Sequence, residues 1–187
     1  MKPPPIHEPF TGAELLGQLG AVREWGAEFW SSFDDRDFFA PLGDAWSPAD
    51  NVRHLIRSNR PVARALTVPR FVLQLRFGFS RQSSRSYSAL RADYREALAG
   101  GLQAGSFAPS ALPSDRETAA ERLQILTRWS DSIADLESAL EKWSERALDR
   151  VRLPHPGLGL LTVREMLFFT LYHNTHHALG VAQRTER

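Results

Sequence analysis

The chain has 187 residues, of which 42% are hydrophobic and 24% charged, so it is long enough to bury one substantial core. Its 23 basic and 22 acidic side chains leave a net charge of +1, which gives no electrostatic basis for binding to nucleic acid or to a membrane surface. Because there is no cysteine, disulfides, thiolate metal ligands and a cysteine nucleophile are excluded.

The hydropathy pattern predicts a cytoplasmic protein with no membrane-spanning segment. No apolar run reaches the roughly 18 residues that are needed to cross a bilayer. The first ten residues, MKPPPIHEPF, do not contain the apolar stretch that is typical of a signal peptide.

The first third of the chain predicts an arm, a long helix and a loop. Residues 1–9 are rich in proline and are expected to be extended. In residues 10–33 apolar side chains recur every three or four positions, which is the helical period. Thr11 followed by Glu14 has the spacing of a capping box at the start of this helix. Residues 34–46 contain a proline and a glycine and are predicted to be a loop.

A second helix is predicted over residues 47–66. Its serine at the first position is a good N-cap, Pro48 suits the first turn, and Asp50 places a carboxylate near the positive end of the helix dipole. His54 adjoins the apolar side of this helix. Pro61 lies inside the span, so a kink or a break is expected near it.

Residues 67–113 carry a weaker pattern and are predicted to be an insert with one or two short helices. Within the insert, residues 71–79 are either a short helix or an apolar insertion. Residues 88–99 are predicted to be helical, and Gly100 and Gly101 end that helix.

The last third predicts two further helices joined by a loop. Residues 115–148 form the longest periodic segment, capped by Ser114 or Asp115. Residues 150–161 are rich in proline and glycine and are predicted to be a structured loop, with no strand of useful length. Thr162 and Glu165 have capping-box spacing at the start of the final helix.

Four long amphipathic segments, 10–33, 47–66, 115–148 and 162–184, therefore predict an all-α fold. Four long amphipathic helices can bury their apolar faces against one another as a four-helix bundle. We expect one domain over residues 1–187, with the arm at its start and the insert between the second and third bundle helices.

The final helix contains His173, His176 and His177, three of the six histidines in the chain. Residues four positions apart lie on one face of a helix, so His173 and His177 can direct two imidazoles to one point on the buried side. Imidazole is a common ligand of late transition metals. His176 is three residues from His173 and could replace His177 as a ligand.

Two ligands seldom hold a metal firmly, and His54 on the second helix can supply a third. Three neutral imidazoles with one open position suit zinc, nickel or another late divalent metal. The alternative is that each histidine is a core residue held by a hydrogen bond. Asn174 and Thr175 stand between the paired histidines where His-Glu-x-x-His peptidases have a glutamate, which disfavours a peptidase mechanism. His7 and His155 lie in proline-rich stretches and are assigned no partner.

Several of these motifs together resemble the DinB-like family of metalloenzymes. They are Trp46-Ser47-Pro48 before the helix with His54, residues 153–159 (LPHPGLG) followed by 162–167 (TVREML), and His173-x-x-x-His177. The resemblance implies a four-helix bundle with long crossover connections. It also implies a divalent metal, nickel or zinc, held by one histidine of the second helix and two of the last: His54, His173 and His177. His176 and residues 67–113 match nothing in that pattern.

The wider superfamily is similar to enzymes that use low-molecular-weight thiols, so the resemblance implies a thiol-dependent S-transferase with a small-molecule substrate. A metal held by the three histidines could instead activate water, so a hydrolase is the other expectation. Arg53 or Arg57, beside His54, would hold the carboxylates of a thiol cofactor. His176 is a candidate catalytic acid or base, a group that supports the ligands, or a solvated histidine. The alternative is a non-catalytic bundle that binds a metal or another ligand, or a stress-associated dimer. A homodimer is expected in either case.

Overall fold

A computed structural model describes residues 3–8 and 11–185 of the protein. These residues form eight α-helices and one β-hairpin. The helices are α1 (Gly12–Ser31), α2 (Asp35–Phe39), α3 (Pro48–Thr67), α4 (Arg70–Phe77), α5 (Tyr87–Ala99), α6 (Ala119–Leu140), α7 (Glu145–Arg150) and α8 (Val163–Thr185), and the strands are β1 (Arg152–His155) and β2 (Gly159–Thr162). The predicted helix start at Phe10 and three residues of the predicted arm, Met1, Lys2 and Pro9, lie outside the described residues.

Four helices, α1, α3, α6 and α8, form the bundle. Helix α1 packs against α6 and α8, and α3 packs against the same two helices, so α1 and α3 lie on opposite corners. The long connection from α3 to α6 contains α4 and α5, and α5 packs on α8. The predicted all-α bundle with long crossover connections and a partly helical insert is confirmed.

The predicted capping boxes are present at the first and last bundle helices. At α1, Thr11 N donates to Glu14 Oε2 over 2.8 Å and Glu14 N donates to Thr11 Oγ1 over 3.1 Å. At α8, Thr162 N donates to Glu165 Oε2 over 2.9 Å and Glu165 N donates to Thr162 Oγ1 over 3.2 Å. Each pair satisfies two amide groups that the first turn of a helix leaves without partners.

Helix α3 begins as predicted and continues through Pro61 without a break. Ser47 Oγ accepts a hydrogen bond from Asp50 N over 3.1 Å and caps the helix. Pro61 is exposed, so water can reach the carbonyl of Arg57 that loses its helical partner. Of the two predicted outcomes at this proline, the break is therefore wrong, and the kink stays a prediction.

The predicted helix over residues 115–148 is wrong in its extent, because two helices replace it. Thr118, rather than Ser114 or Asp115, caps α6 by accepting from Glu121 N over 3.2 Å. The chain leaves the helix after Leu140 and turns Trp143 inward, where its Nε1 donates to the Leu66 carbonyl over 3.0 Å. That contact also provides a partner for a carbonyl at the end of α3.

Two predicted loops contain regular structure. Asp34 Oδ1 accepts from Asp37 N over 2.7 Å and caps the short helix α2, which buries Phe38 and Phe39. Residues 150–161 include most of an antiparallel hairpin in which Leu153 pairs with Leu161. Strands of four residues are too short to show the alternation by which a strand is recognised.

Among the described residues, no helix has the length and hydropathy needed to cross a membrane.

A buried amide network joins α3, α6 and α8. Asn174 Oδ1 accepts from Trp129 Nε1 over 3.0 Å, and Asn174 Nδ2 donates to Asn59 Oδ1 over 3.2 Å. Asn59 in turn donates to Ser132 Oγ over 3.1 Å. A buried polar group without a partner costs about 1–3 kcal/mol, so sliding one helix along another is unfavourable. The network therefore sets the relative height of α3 and α8, which carry the histidines of interest.

Candidate metal centre

His54, His173 and His177 meet inside the bundle, between α3 and α8. His54 and His173 are 5% and 2% exposed, and His177 is half-buried. The Nε2 atom of His173 lies 3.1 Å from Nε2 of His54 and 3.1 Å from Nε2 of His177. One ring nitrogen from each residue falls within 4.8 Å of the other two, an arrangement that could hold a metal ion.

Hydrogen bonds on the far side of two rings decide which nitrogen carries the proton. His54 Nδ1 lies 3.0 Å from the Phe107 carbonyl, which can only accept, so Nδ1 is the donor. His177 Nδ1 lies 2.7 Å from Asn51 Oδ1. The Asn51 amide group donates to the carbonyls of Trp46 and Ser47, which leaves its oxygen as an acceptor. Both rings therefore turn an Nε2 lone pair toward His173.

Burial keeps these rings in the uncharged form. It lowers the pKa of His173 and His177 well below 6.5, and the neighbouring histidines lower both further. Burial also lowers the pKa of His54, against the opposing effect of its bond to Phe107. A metal-binding imidazole must be neutral, so burial favours the charge state that metal binding requires.

His173 Nδ1 is buried and has no hydrogen-bond partner among the described residues. Its ring stacks on Phe169, with centroids 4.8 Å apart, and meets the edge of Tyr94 at 6.1 Å. The ring of His173 is therefore held by packing, whereas the rings of His54 and His177 are held by hydrogen bonds. Coordination through Nε2 would place the ring proton on Nδ1, where no described residue accepts it.

Asn174, the residue after the first histidine of the pair, faces away from this cluster. Its side chain bonds Trp129 and Asn59 in the core. A glutamate at this position would meet that amide network rather than the three histidines. The predicted absence of a peptidase arrangement is consistent with this geometry.

The three histidines line one end of a cavity of about 250 Å³. The described residues that line it carry no Asp, Glu, Lys or Arg side chain, and most of its surface is apolar. Trp46 lies at the same end, with its ring 5.1 Å from His54 and stacked 6.3 Å from His177. The insert contributes Tyr94 and Phe107, and the hairpin contributes His155.

His155, which received no role from the sequence, is part of this cavity. Its Nδ1 accepts hydrogen bonds from the amides of Gly157 and Leu158, each over 3.1 Å. Burial lowers its pKa to about 4. Tyr94, also missed, is buried in the same wall, and burial raises its pKa to about 12. The sequence signal that could have directed attention to His155 is its place inside the LPHPGLG motif.

The other predicted site residues lie outside the cluster. His176 is half-buried, and its Nδ1 lies 3.4 Å from the Tyr172 hydroxyl on the same helix. Arg53 pairs with Asp50 over 3.2 Å. Arg57 donates to the Ser106 carbonyl over 2.8 Å. None of these three residues lines the cavity that contains His54, His173 and His177, the histidine triad.

A helix bundle with three histidines converging on one point, and an apolar cavity beside them, defines a class of candidate metalloproteins. The chain belongs to the DinB superfamily, whose family model matches residues 27–179. It also resembles the crystal structure of TT2238, a four-helix bundle protein, with 22% identity and a TM-score of 0.54 over 92% of this chain and 99% of that one. At that identity the likeness bears on the fold alone. No curated protein matches the chain.

Proposed function

We propose that this protein is a metal-dependent enzyme in which His54, His173 and His177 hold a divalent ion, zinc or nickel. The convergence of three ring nitrogens, two of them presenting lone pairs, carries the proposal. Three imidazoles with an open position are a donor set that late divalent metals favour. The lowered pKa values support it, because no proton has to leave these rings at neutral pH.

When bound, such an ion supplies Lewis acidity toward water, a thiol or a substrate oxygen. The protein's own contribution is to orient the ligands and to surround them with a mostly apolar cavity wall. Phe107 and Asn51 hold the rings of His54 and His177, and Phe169 packs against His173. The apolar cavity lowers the local dielectric, which strengthens every charge interaction at the site.

Hydrolysis of a small molecule is the reaction that the cavity supports best. Low-molecular-weight thiol cofactors carry carboxylates, and a cationic side chain would be needed to hold them. Among the described residues that line the cavity there is no such side chain. Water, in contrast, needs no binding group of its own beyond the metal.

Transfer of a thiol is the second candidate, because of the position of Arg57. Its guanidinium group is held at the Ser106 carbonyl, next to Phe107 and close in sequence to Ala104, both of which line the cavity. A cofactor lying across this edge could place its carboxylate on Arg57 and its sulfur inside. Arg53, by comparison, is occupied by Asp50.

Metal analysis of the purified protein tests the ligand set. We expect about one zinc or nickel ion per chain in the wild type and loss of most of it in His54→Ala, His173→Ala and His177→Ala. His7→Ala is the matched control, because His7 is exposed and does not line the cavity. Full metal content in any of the three variants contradicts the triad.

Turnover assays separate the reactions. Neutral esters, amides and thiol-reactive electrophiles are incubated with the metal-loaded protein, with and without bacillithiol or mycothiol. Metal-dependent product without thiol supports hydrolysis, and product only with thiol supports S-transfer. A protein that binds metal but converts none of these compounds supports the non-catalytic alternative.

A further inference from the structure

The cavity has a second polar feature, formed by His155 and Tyr94. The Tyr94 ring lies 6.1 Å from His155 and 6.1 Å from His173, measured between ring centroids. Phe169 packs against both histidines, 4.3 Å from His155 and 4.8 Å from His173. The two residues are therefore neighbours of the predicted metal ligands within the same cavity, yet they are not part of the triad.

His155 is held as a hydrogen-bond donor by the turn of the hairpin. Its Nδ1 accepts from two backbone amides, which requires a lone pair on Nδ1. The ring is therefore neutral and its single proton is on Nε2. Among the described residues no acceptor contacts Nε2, so this N–H is available to a molecule in the cavity.

Tyr94 provides a second neutral donor. It is 7% exposed and lines the cavity, and no described residue exchanges a hydrogen bond with its hydroxyl group. A buried phenol retains its proton because the surroundings do not stabilise the phenolate. The side chain is on α5, the helix of the insert that packs against α8.

The remaining lining restricts what these donors can bind. A carboxylate or ammonium group brought into this apolar cavity would lose its hydration without meeting a countercharge. An uncharged group with an acceptor oxygen would instead satisfy the donors that the fold leaves open. Its apolar remainder could contact side chains such as Leu98, Leu102 and Met166.

We propose that His155 and Tyr94 are substrate-binding residues that donate hydrogen bonds to an oxygen of an uncharged, largely apolar substrate, such as a carbonyl oxygen of a neutral ester or amide. The assignment deepens the proposed function and rests on it for the reaction, although the binding contacts themselves need no metal. Neutral donors of this kind also stabilise negative charge that develops on a carbonyl oxygen during acyl transfer.

The first test is nitrogen NMR of the histidine rings in metal-free protein. The chemical shifts of the two ring nitrogens distinguish protonation at Nε2 from protonation at Nδ1. We expect His155 to be neutral and protonated at Nε2 at pH 7. A ring protonated at Nδ1, or at both nitrogens, would overturn the proposal.

The second test measures binding of hexanamide, with hexanoate as its charged counterpart, to the same metal-free protein. Hexanamide should shift the His155 Nε2–H signal and bind at least about tenfold more tightly than hexanoate. Tyr94→Phe, which deletes one oxygen atom, and His155→Phe should each weaken hexanamide binding about tenfold. His7→Phe is the control and should bind hexanamide as the wild type does. Unchanged affinity in both cavity variants would overturn the proposal.

Zinc analysis of the same preparations separates this inference from the proposed function. If the protein binds hexanamide through His155 and Tyr94 but takes up no zinc, the binding site is supported and the proposed metal-dependent reaction is contradicted. If the protein binds zinc but hexanamide does not shift the His155 signal, the metal centre is supported and the proposed substrate-binding role of His155 is contradicted. If His155→Phe fails to fold, Tyr94→Phe and the wild-type spectrum still decide the matter.

Discussion

His177 donates its Nδ1–H to Oδ1 of Asn51 across 2.7 Å, and this bond joins the last helix of the bundle to the start of α3. Because Asn51 is itself held by the carbonyls of Trp46 and Ser47, the bond fixes both the position and the tautomer of the imidazole. In metal sites a partner of this kind behind the ligand raises its basicity and restricts its rotation.

Replacing Asn51 should therefore weaken metal binding without removing a ligand. We expect Asn51→Ala to lower zinc affinity roughly 10–100-fold and Asn51→Asp to retain or strengthen it, since a carboxylate also accepts from Nδ1. Competition with a chromogenic chelator measures both. Arg64→Ala is the control, because it removes an exposed side chain of the same helix that does not line the cavity. Equal zinc affinity in Asn51→Ala and wild type contradicts this role.

Metal binding should stabilise the fold. At a free zinc concentration a hundredfold above the dissociation constant, binding to the folded state alone adds about 2.7 kcal/mol. For a chain of this size that corresponds to a rise in Tm of about 5–10 °C. Calorimetry before and after addition of zinc checks this, and a chelator should reverse the shift. His54→Ala should abolish the rise, whereas a similar rise in that variant would indicate binding elsewhere.

The stability of the metal-free protein should fall as the pH is lowered below about 6.5. Five histidines have a pKa below the ordinary value in the folded state, chiefly because of burial: His54, His155, His173, His176 and His177. Below pH 6.5 the unfolded chain takes up protons that the folded chain resists, so the free energy of unfolding decreases toward the folded pKa values, about 4 for His155.

Each such proton contributes a slope of about 1.4 kcal/mol per pH unit. Urea unfolding at pH 7.5, 6.5, 5.5 and 4.5 measures the sum, and we expect the stability to be greatest at pH 7.5. His173→Phe should reduce this slope by the contribution of about one proton, because the substitution removes one buried imidazole. A constant free energy of unfolding between pH 7.5 and 5 would contradict the burial of neutral histidines.

Gly26 should be intolerant of any side chain because Trp129 packs directly on it. A Cβ atom at Gly26 would overlap the Trp129 ring and lie 2.8 Å from its Cζ2 atom. We expect Gly26→Ala to destabilise the protein by about 1–3 kcal/mol, since Trp129 cannot move without disturbing its bond to Asn174. Gly17→Ala on the same helix, where a Cβ meets nothing within 4 Å, should stabilise it by about 0.5–1 kcal/mol. Equal effects of the two substitutions in urea unfolding would refute the packing argument.

The bundle and the pair of His173 and His177 were predictable from sequence because both depend on local rules. Helical periodicity identifies the long apolar faces, and capping boxes such as Thr162 with Glu165 locate helix starts within a residue or two. A spacing of four residues places His173 and His177 on one face whatever the helix packs against. His54 could not be predicted from spacing alone. It was predicted from its position beside an apolar helix face together with the family resemblance.

The predicted helix and strand boundaries were wrong at positions where a tertiary contact competes with a local preference. Residues 141–144 have no strong helix breaker, yet the chain turns there because Trp143 reaches the carbonyl of Leu66 across the bundle. The hairpin over residues 152–162 is too short to show a period, and its pairing depends on both strands being present.

Sequence alone thus determined the helical class, the apolar faces of the four bundle helices and the pair of histidines that share a face of the last helix, because each of these follows from residue types at fixed spacings along one helix. Tertiary structure decided that Asn51 and Phe107 orient His177 and His54, two of the candidate ligands. It also decided that Arg53, Arg57 and His176 lie outside the cavity and that His155 and Tyr94 line it. The physical reason is that a hydrogen-bond partner or a cavity wall is a relation between distant segments. No periodicity within either segment encodes that relation.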